Sequence, residues 1–252
     1  MNSDSTMEDL TTPSTEPGHA SSTPTENGPQ PMPSSATDFH CFIPVVNRFE
    51  LLNRAIQSVP ELTQSMTIID NSLGGIDYKR IEKPAYNIQV MRPPVPLSYS
   101  QSLNWAATLC VQSGKKFLVN LHSDAYLTRP EAPSELLEFG RNCQDNWGVI
   151  WTFYDILCLF NPKAILDVGG YDTNFPDYFT DNDMRRRMEL AGYKCIDTGI
   201  QGVHHEGSAT INSDTHLKYL NGVTFPLRRS YYISKWGGEP GKEIYRSPFN
   251  LG

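Results

Sequence analysis

Phe117-Leu118-Val119-Asn120-Leu121-His122-Ser123-Asp124 is the stretch around which the rest of the chain can be ordered. Its first five residues, mostly apolar, read as a buried strand, and three polar residues follow at the carboxyl end. That is where open parallel α/β sheets hold their ligands. The same pattern occurs twice upstream. Residues 39–46 (FHCFIPVV) are short, apolar and β-branched toward their end, and they hand over to Asn47-Arg48. Residues 66–69 (MTII) end on Asp70-Asn71-Ser72. A single Asp or Asn after a strand is an ordinary turn former. Three such ends in succession, on one sheet edge, point to a ligand site.

Helical patterns fill the intervals. Leu51, Leu52, Ala55, Ile56 and Val59 recur at three- and four-residue spacing until Pro60 stops them. Residues 88–91 form a third short apolar run, closed by Pro93-Pro94-Val95-Pro96. Residues 98–112 place Leu103, Ala106, Ala107, Cys110 and Val111 on one side of a helix that Gly114 ends. The alternation predicts an α/β fold with a mostly parallel central sheet and helices on both faces. Downstream, residues 131–143, 181–190 and 214–221 read as helices, the second capped by Thr180. Residues 148–154, 156–160 and 194–197 read as strands.

Composition separates a tail from a body. Between Met1 and Thr37 there is no Ile, Val, Phe, Tyr, Trp, Lys or Arg, and Leu10 is the only large branched aliphatic residue. Such a segment buries too little apolar surface to offset the entropy of ordering it, so residues 1–38 are expected to be a disordered, acidic, Ser/Thr/Pro-rich tail. Asp4, Glu8, Asp9, Glu16 and Glu26 give this tail five of the seven net negative charges, which leaves two on the body. Nothing resembles the basic footprint of a nucleic-acid binder. No apolar run suits a signal peptide or a membrane span. Cys41, Cys110, Cys143, Cys158 and Cys195 are odd in number and scattered. Reduced thiols and a cytoplasmic location are expected. Residues 39–252 are expected to form one domain, with a nucleotide-binding half (39–126) and an acceptor-binding half (127–252).

Further polar clusters lie in the second half. Thr180-Asp181-Asn182-Asp183-Met184-Arg185-Arg186-Arg187 suits a helix start, with acidic groups at the positive end of the dipole and possible ion pairs four residues apart. Gly169-Gly170-Tyr171-Asp172 precedes it and Val203-His204-His205-Glu206-Gly207-Ser208 follows. Imidazole and carboxylate together suit a divalent cation. The run from Arg228 to Trp236 reads either as the lining of an acceptor groove or as a C-terminal segment packed on the sheet.

The whole set resembles the family-two inverting glycosyltransferases, which have the GT-A fold. The matching pieces are Ile43-Pro44-Val45-Val46-Asn47-Arg48, Ile69-Asp70-Asn71-Ser72, Asn104, His122-Ser123-Asp124, Val168-Gly169-Gly170-Tyr171-Asp172, Asp181-Asn182-Asp183-Met184 with Arg187, and His204 with Gly207 and Ser208. They span residues 39–210. The resemblance implies a metal-dependent hexosyltransferase that moves a sugar from a nucleoside diphosphate donor such as a UDP-sugar to an acceptor hydroxyl. Pro44, Asn47, Arg48, Asp70, Asn71, Asn104 and Ser123 would bind the donor. Asp124 would hold Mn2+ or Mg2+, with His204, ahead of His205, completing the metal site. Asp181 would be the general base. Trp151, Tyr154, Asp155 and Asp183 would lie against the acceptor, which could be a glycan, a protein or a modified nucleic acid. Two positions depart from the pattern: His122 stands where the family's DxD triplet begins, and Thr180 where Glu is common. Two alternatives stay open: transfer to a hydroxymethylated DNA base in a viral setting, and a non-catalytic nucleotide-sugar or glycan-binding homologue.

Overall fold

A computed structural model describes residues 37–81, 88–152 and 155–251. The tail up to residue 36 and Tyr154 lie outside the described residues. In chain order the elements are β1 (Phe39–Val45), α1 (Phe49–Gln57), β2 (Met66–Asp70), β3 (Ile88–Met91), α2 (Tyr99–Gln112), β4 (Phe117–Leu121) and β5 (Ala125–Leu127). Then follow α3 (Ala132–Asn142), β6 (Trp147–Trp151), β7 (Leu157–Phe160), α4 (Pro162–Asp167), α5 (Thr180–Leu190), β8 (Lys194–Asp197), β9 (Val203–His205), α6 (Ala209–Asn212) and α7 (Thr215–Trp236).

Seven strands form one sheet in the order β3-β2-β1-β4-β7-β6-β8. β1 pairs in parallel with β2 and β4, and β2 in parallel with β3. β7 runs antiparallel to both β4 and β6, and β6 is parallel to β8. The sheet is therefore mostly parallel, as the alternation of strands and helices implies. Every residue of β2, β4, β6 and β7 is buried. Strands covered on both faces read as continuous apolar runs rather than alternating ones.

Two apolar layers flank the sheet. On one side Leu52, Ile56, Leu62, Leu136 and Leu137 pack on Ile43, Ile68, Val119 and Leu159. On the other, α2 contributes Leu103, Ala106, Ala107 and Cys110, and α5 contributes Met184 and Met188, against Phe42, Ile69, Leu118 and Val149. Each fully buried aliphatic or aromatic side chain stabilises the fold by roughly 1.5–3 kcal/mol relative to exposure. α2 starts at a capping box, in which Ser98 Oγ accepts from Gln101 N–H and the Gln101 side chain accepts from Ser98 N–H.

Two local expectations fail for physical reasons. Thr180 does not cap α5; its hydroxyl donates to the Phe175 carbonyl at 2.6 Å, and the cap position is Phe179, in the left-handed region with φ 65°. The last helix runs on from Thr215 to Trp236, well past residue 221. Gly222 and Pro226 look like breakers in sequence. Asp214 caps the start through the His216 and Leu217 amides, and Tyr232 and Trp236 are fully buried near the other end. Those anchors hold the helix through Pro226 at the cost of one backbone bond.

Candidate active site

The strand order makes β1 and β4 neighbours although β2 and β3 lie between them in sequence. The chain leaves β1 through α1 toward β2 and β3 on one side and returns through α2 to β4 on the other, so the carboxyl ends of β1 and β4 flank a topological switch point. A cavity of about 580 Å³ opens there, lined by Pro44 and Val46 from β1 and its end, Asn71 after β2, and His122, Ser123 and Asp124 after β4. Tyr99, Asp155, Asp181, Asn182 and His205 complete its inner part. The volume suits a ligand of nucleotide size.

His122, Asp124 and His205 converge at its base, with one potential ligand atom from each lying within 4.8 Å of the others. β4 delivers the first two. The third arrives through the two-stranded ribbon, where β5 pairs antiparallel with β9 and Ala125 lies opposite His205. That register sets His205 Nε2 3.2 Å from Asp124 Oδ1. Side chains alternate along a strand, so His204 faces the other way. It is 51% exposed, packs on the Tyr126 ring at 4.7 Å, and lies 3.9 Å from Glu206. The structure therefore brings His205, not His204, to Asp124. Two imidazoles and one carboxylate are a donor set able to hold a divalent transition-metal ion, Mn2+ among them, with further positions left for ligand oxygens.

His122 is not a lost carboxylate so much as a held imidazole. Its Nε2 lies 3.0 Å from Tyr99 Oη and 3.5 Å from Asp155 Oδ2, and Tyr99 Oη also accepts from Asn120 Nδ2 at 2.8 Å. Burial works against a charge on His122, but the carboxylates of Asp155, Asp124 and Asp181 outweigh it and hold its pKa above the usual histidine value. Burial likewise pushes Asp124 and Asp155 up, and the neighbouring histidines more than reverse it, so both carboxyls sit below the usual range. Asp181 goes the other way. Burial, then the charge of Asp155, raise it to about 6. Two carboxyls in one cavity thus differ in proton affinity, which separates a group that stays ionised from one able to take up a proton.

The other sequence candidates divide. Pro44, Asn71, Ser123 and Asp155 line the cavity. Asp70 is 1% exposed, and its carboxylate accepts from the Ser72 and Ile76 amides, so it shapes the loop that carries Asn71. Asn47 is exposed, with its amide donating to Ser72 Oγ and its side chain to Asp214, while Arg48 caps α1 with φ 33°. Neither lines the cavity. Asn104 clamps Tyr171 by accepting from its N–H at 2.6 Å and donating to its carbonyl at 2.9 Å. Both ends of that amide are used away from any donor. Trp151 does not line the cavity; it borders a small pocket with Tyr99, Asp155 and Asp181, with the Arg185 guanidinium 4.3 Å over its ring. Asp183 is 0% exposed and accepts from Trp236 Nε1 and Arg187 Nε, each at 2.9 Å. It belongs to the packing of α5 on α7 and has no face open to an acceptor. The sequence reading passed over Asp177, Tyr178, Phe179 and Phe225, which line the outer part. The unusual density of aromatic residues there was the available signal.

No protein-family model matches this chain, and no curated protein sequence matches it. Solved structures do. Glucosyl-3-phosphoglycerate synthase from Mycobacterium tuberculosis, in complex with Mn2+ and UDP-glucose, is similar with a TM-score of 0.52 at 12% identity, covering 77% of this chain and 80% of that one. The mannosyltransferase PcManGT from Pyrobaculum calidifontis, in complex with GDP-Man and Mn2+, is similar with a TM-score of 0.51 at 12% identity, covering 64% of this chain. The present chain spans only 54% of that mannosyltransferase. At such identities the likeness is one of architecture: the chain has the GT-A fold of nucleotide-sugar glycosyltransferases.

Proposed function

We propose that the chain is a metal-dependent, inverting glycosyltransferase that moves a sugar from a nucleoside diphosphate sugar to an acceptor hydroxyl. The observation that carries this reading is the convergence, at the switch point of a GT-A sheet, of the His122–Asp124–His205 donor set and a carboxyl of raised pKa, Asp181. The fold is shared with enzymes crystallised with UDP-glucose or GDP-Man and Mn2+, which supports a donor of this class.

His122, Asp124 and His205 would hold Mn2+ or Mg2+. A cation there would supply Lewis-acid charge to the departing diphosphate. Asp155 and Tyr99 keep the His122 ring in place from behind. Pro44, Asn71 and Ser123, which line the cavity, would bind the nucleotide. Asp181 accepts the proton of the acceptor hydroxyl as its oxygen bonds to the anomeric carbon and the bond from that carbon to the diphosphate oxygen breaks. Attack from the face opposite the leaving group inverts the anomeric centre.

The test is hydrolysis or transfer with a panel of UDP-, GDP- and dTDP-sugars, with and without Mn2+. The expected result is metal-dependent nucleoside diphosphate release that falls by about 10²-fold or more in Asp181→Asn, while the thermal shift caused by the donor is retained. Full turnover in Asp181→Asn removes the base assignment. Turnover indifferent to chelation removes the metal.

A further inference from the structure

Carboxylates outnumber basic groups along the described lining of the cavity. Asp124, Asp155, Asp177 and Asp181 line it together with His122 and His205, and among the described lining residues there is no Lys or Arg. Cationic side chains on the adjoining elements already have partners. Arg228 is paired with Asp177, Arg185 lies over the Trp151 ring, and Arg187 donates to Asp183 and to the Val168 and Gly170 carbonyls. Lys235 is buried between Asp172 and Asp183. A donor diphosphate would be met by the cation that the His122–Asp124–His205 set can hold. Among Lys and Arg side chains a second anion beside Asp181 would meet Arg185 alone, whose guanidinium is already seated over the Trp151 ring.

The outer wall, next to Asp181, is aromatic. Phe225 of α7 meets the Tyr178 ring edge-on at 5.2 Å and the Phe179 ring at 5.4 Å, and all three line the cavity. Phe179 adopts φ 65° and ψ 0°, a left-handed conformation that a residue with a Cβ takes up at some cost. Its ring is held by Phe225 and by Tyr232, 5.5 Å away. The strained residue sits two positions before Asp181, so the same turn sets the aromatic wall and the base. Aromatic faces pack well against the C–H faces of sugars and repel added negative charge.

From this charge pattern and this wall we infer that the acceptor is an uncharged glycoside, seated with its apolar face on Tyr178, Phe179 and Phe225, and that anionic acceptors are selected against. The inference rests on the transferase reading above and narrows its acceptor.

The experiment starts from Mn2+-dependent donor hydrolysis in the absence of acceptor. Phenyl β-D-glucopyranoside, phenyl β-D-glucuronide and phenyl β-D-glucopyranoside 6-phosphate are then titrated, scoring the concentration that half-maximally changes nucleoside diphosphate release. The neutral glycoside is expected to act at a concentration at least about tenfold lower than either anion, because like charges placed together are strongly disfavoured. Asp177→Asn leaves the Arg228 charge uncompensated at the wall, and should lower the glucuronide's half-effect concentration by about threefold or more. Phe225→Ala should narrow the gap between phenyl and methyl β-D-glucopyranoside. The inference is overturned if an anion matches or outperforms the neutral glycoside, or if donor hydrolysis is present and no glycoside alters it. Absence of donor hydrolysis itself overturns the transferase reading, and this inference with it.

Discussion

Asp183→Asn separates two roles that one carboxylate could play, at the acceptor or in the packing of the C-terminal helix. In the structure Asp183 Oδ1 accepts from Trp236 Nε1 at 2.9 Å and lies 2.6 Å from Lys235 Nζ, while Oδ2 accepts from Arg187 Nε at 2.9 Å. Lys235 is 5% exposed and Asp183 fully buried, so solvent replaces little of what is lost. Breaking a buried ion pair on one side costs about 3–5 kcal/mol, because the remaining charge stays uncompensated. Asn keeps one acceptor oxygen, and Lys235 keeps Asp172 at 2.7 Å, which places the loss near the lower end. A loss of about 3 kcal/mol is roughly a fifth to three fifths of the usual stability of a domain, and at this size it lowers Tm by roughly 6–12 °C. Urea and thermal unfolding near neutral pH read it directly. An Asp183→Asn protein within about 1 kcal/mol of the parent, with donor hydrolysis intact and transfer to acceptor lost, would refute the packing role and return Asp183 to the acceptor.

Other outcomes follow from the same geometry. His205→Ala should raise the Mn2+ concentration for half-maximal activity by at least about tenfold, whereas His204→Ala should change it by less than about twofold; equal effects would contradict the β5–β9 register. Burial, with a smaller contribution from Lys115, lowers His40 to about 4, and its ring nitrogens lie 2.8 Å from Thr67 Oγ1 and from Ser65 Oγ. The unfolded chain therefore protonates first. Stability from this group is complete above the ordinary histidine pKa of about 6.5 and is lost as pH falls toward 4, by at most about 3 kcal/mol; His40→Asn should flatten that part of the curve in urea titrations. The acidic limb of kcat/KM should fall off near pH 6, where Asp181 protonates, and Asp155→Asn should move the limb to lower pH by removing a like charge from beside Asp181. A limb that stays in place in Asp155→Asn would show that the titrating group is not Asp181.

Asp124 was legible in sequence because everything that positions it is local: a five-residue apolar strand, then polar residues at the edge where ligands bind. The same holds for Asn71 and Ser123. His205 was not, because which of two adjacent histidines faces the site depends on how β9 pairs with β5, and that register joins residues about eighty positions apart. The packing of Asp183 was hidden for a similar reason: Trp236, which donates to its carboxylate, lies 53 residues away on a helix that the sequence reading ended at residue 221. The aromatic wall escaped notice because Tyr178-Phe179 and Phe225 come from separate segments that meet only in the folded chain.

His122 gives the clearest connection between a departure in sequence and a property of the site. Read alone, an imidazole in place of the first DxD carboxylate removes a negative charge from the metal. In the folded chain that charge is set one residue further out, on Asp155, 3.5 Å behind the imidazole. A carboxylate behind a ligating histidine orients the ring and strengthens it as a ligand, so the exchange need not weaken the metal site. It does change what lies next to the base. Asp155 is held ionised by His122, and its fixed charge adds to burial in raising Asp181 to about 6. A carboxylate bound directly to a cation would have its charge largely cancelled and would raise Asp181 less. In the proposed transferase the histidine would serve both ends of the reaction: it would ligate the metal where the leaving group departs, and through Asp155 it would keep Asp181 basic enough to take the acceptor's proton.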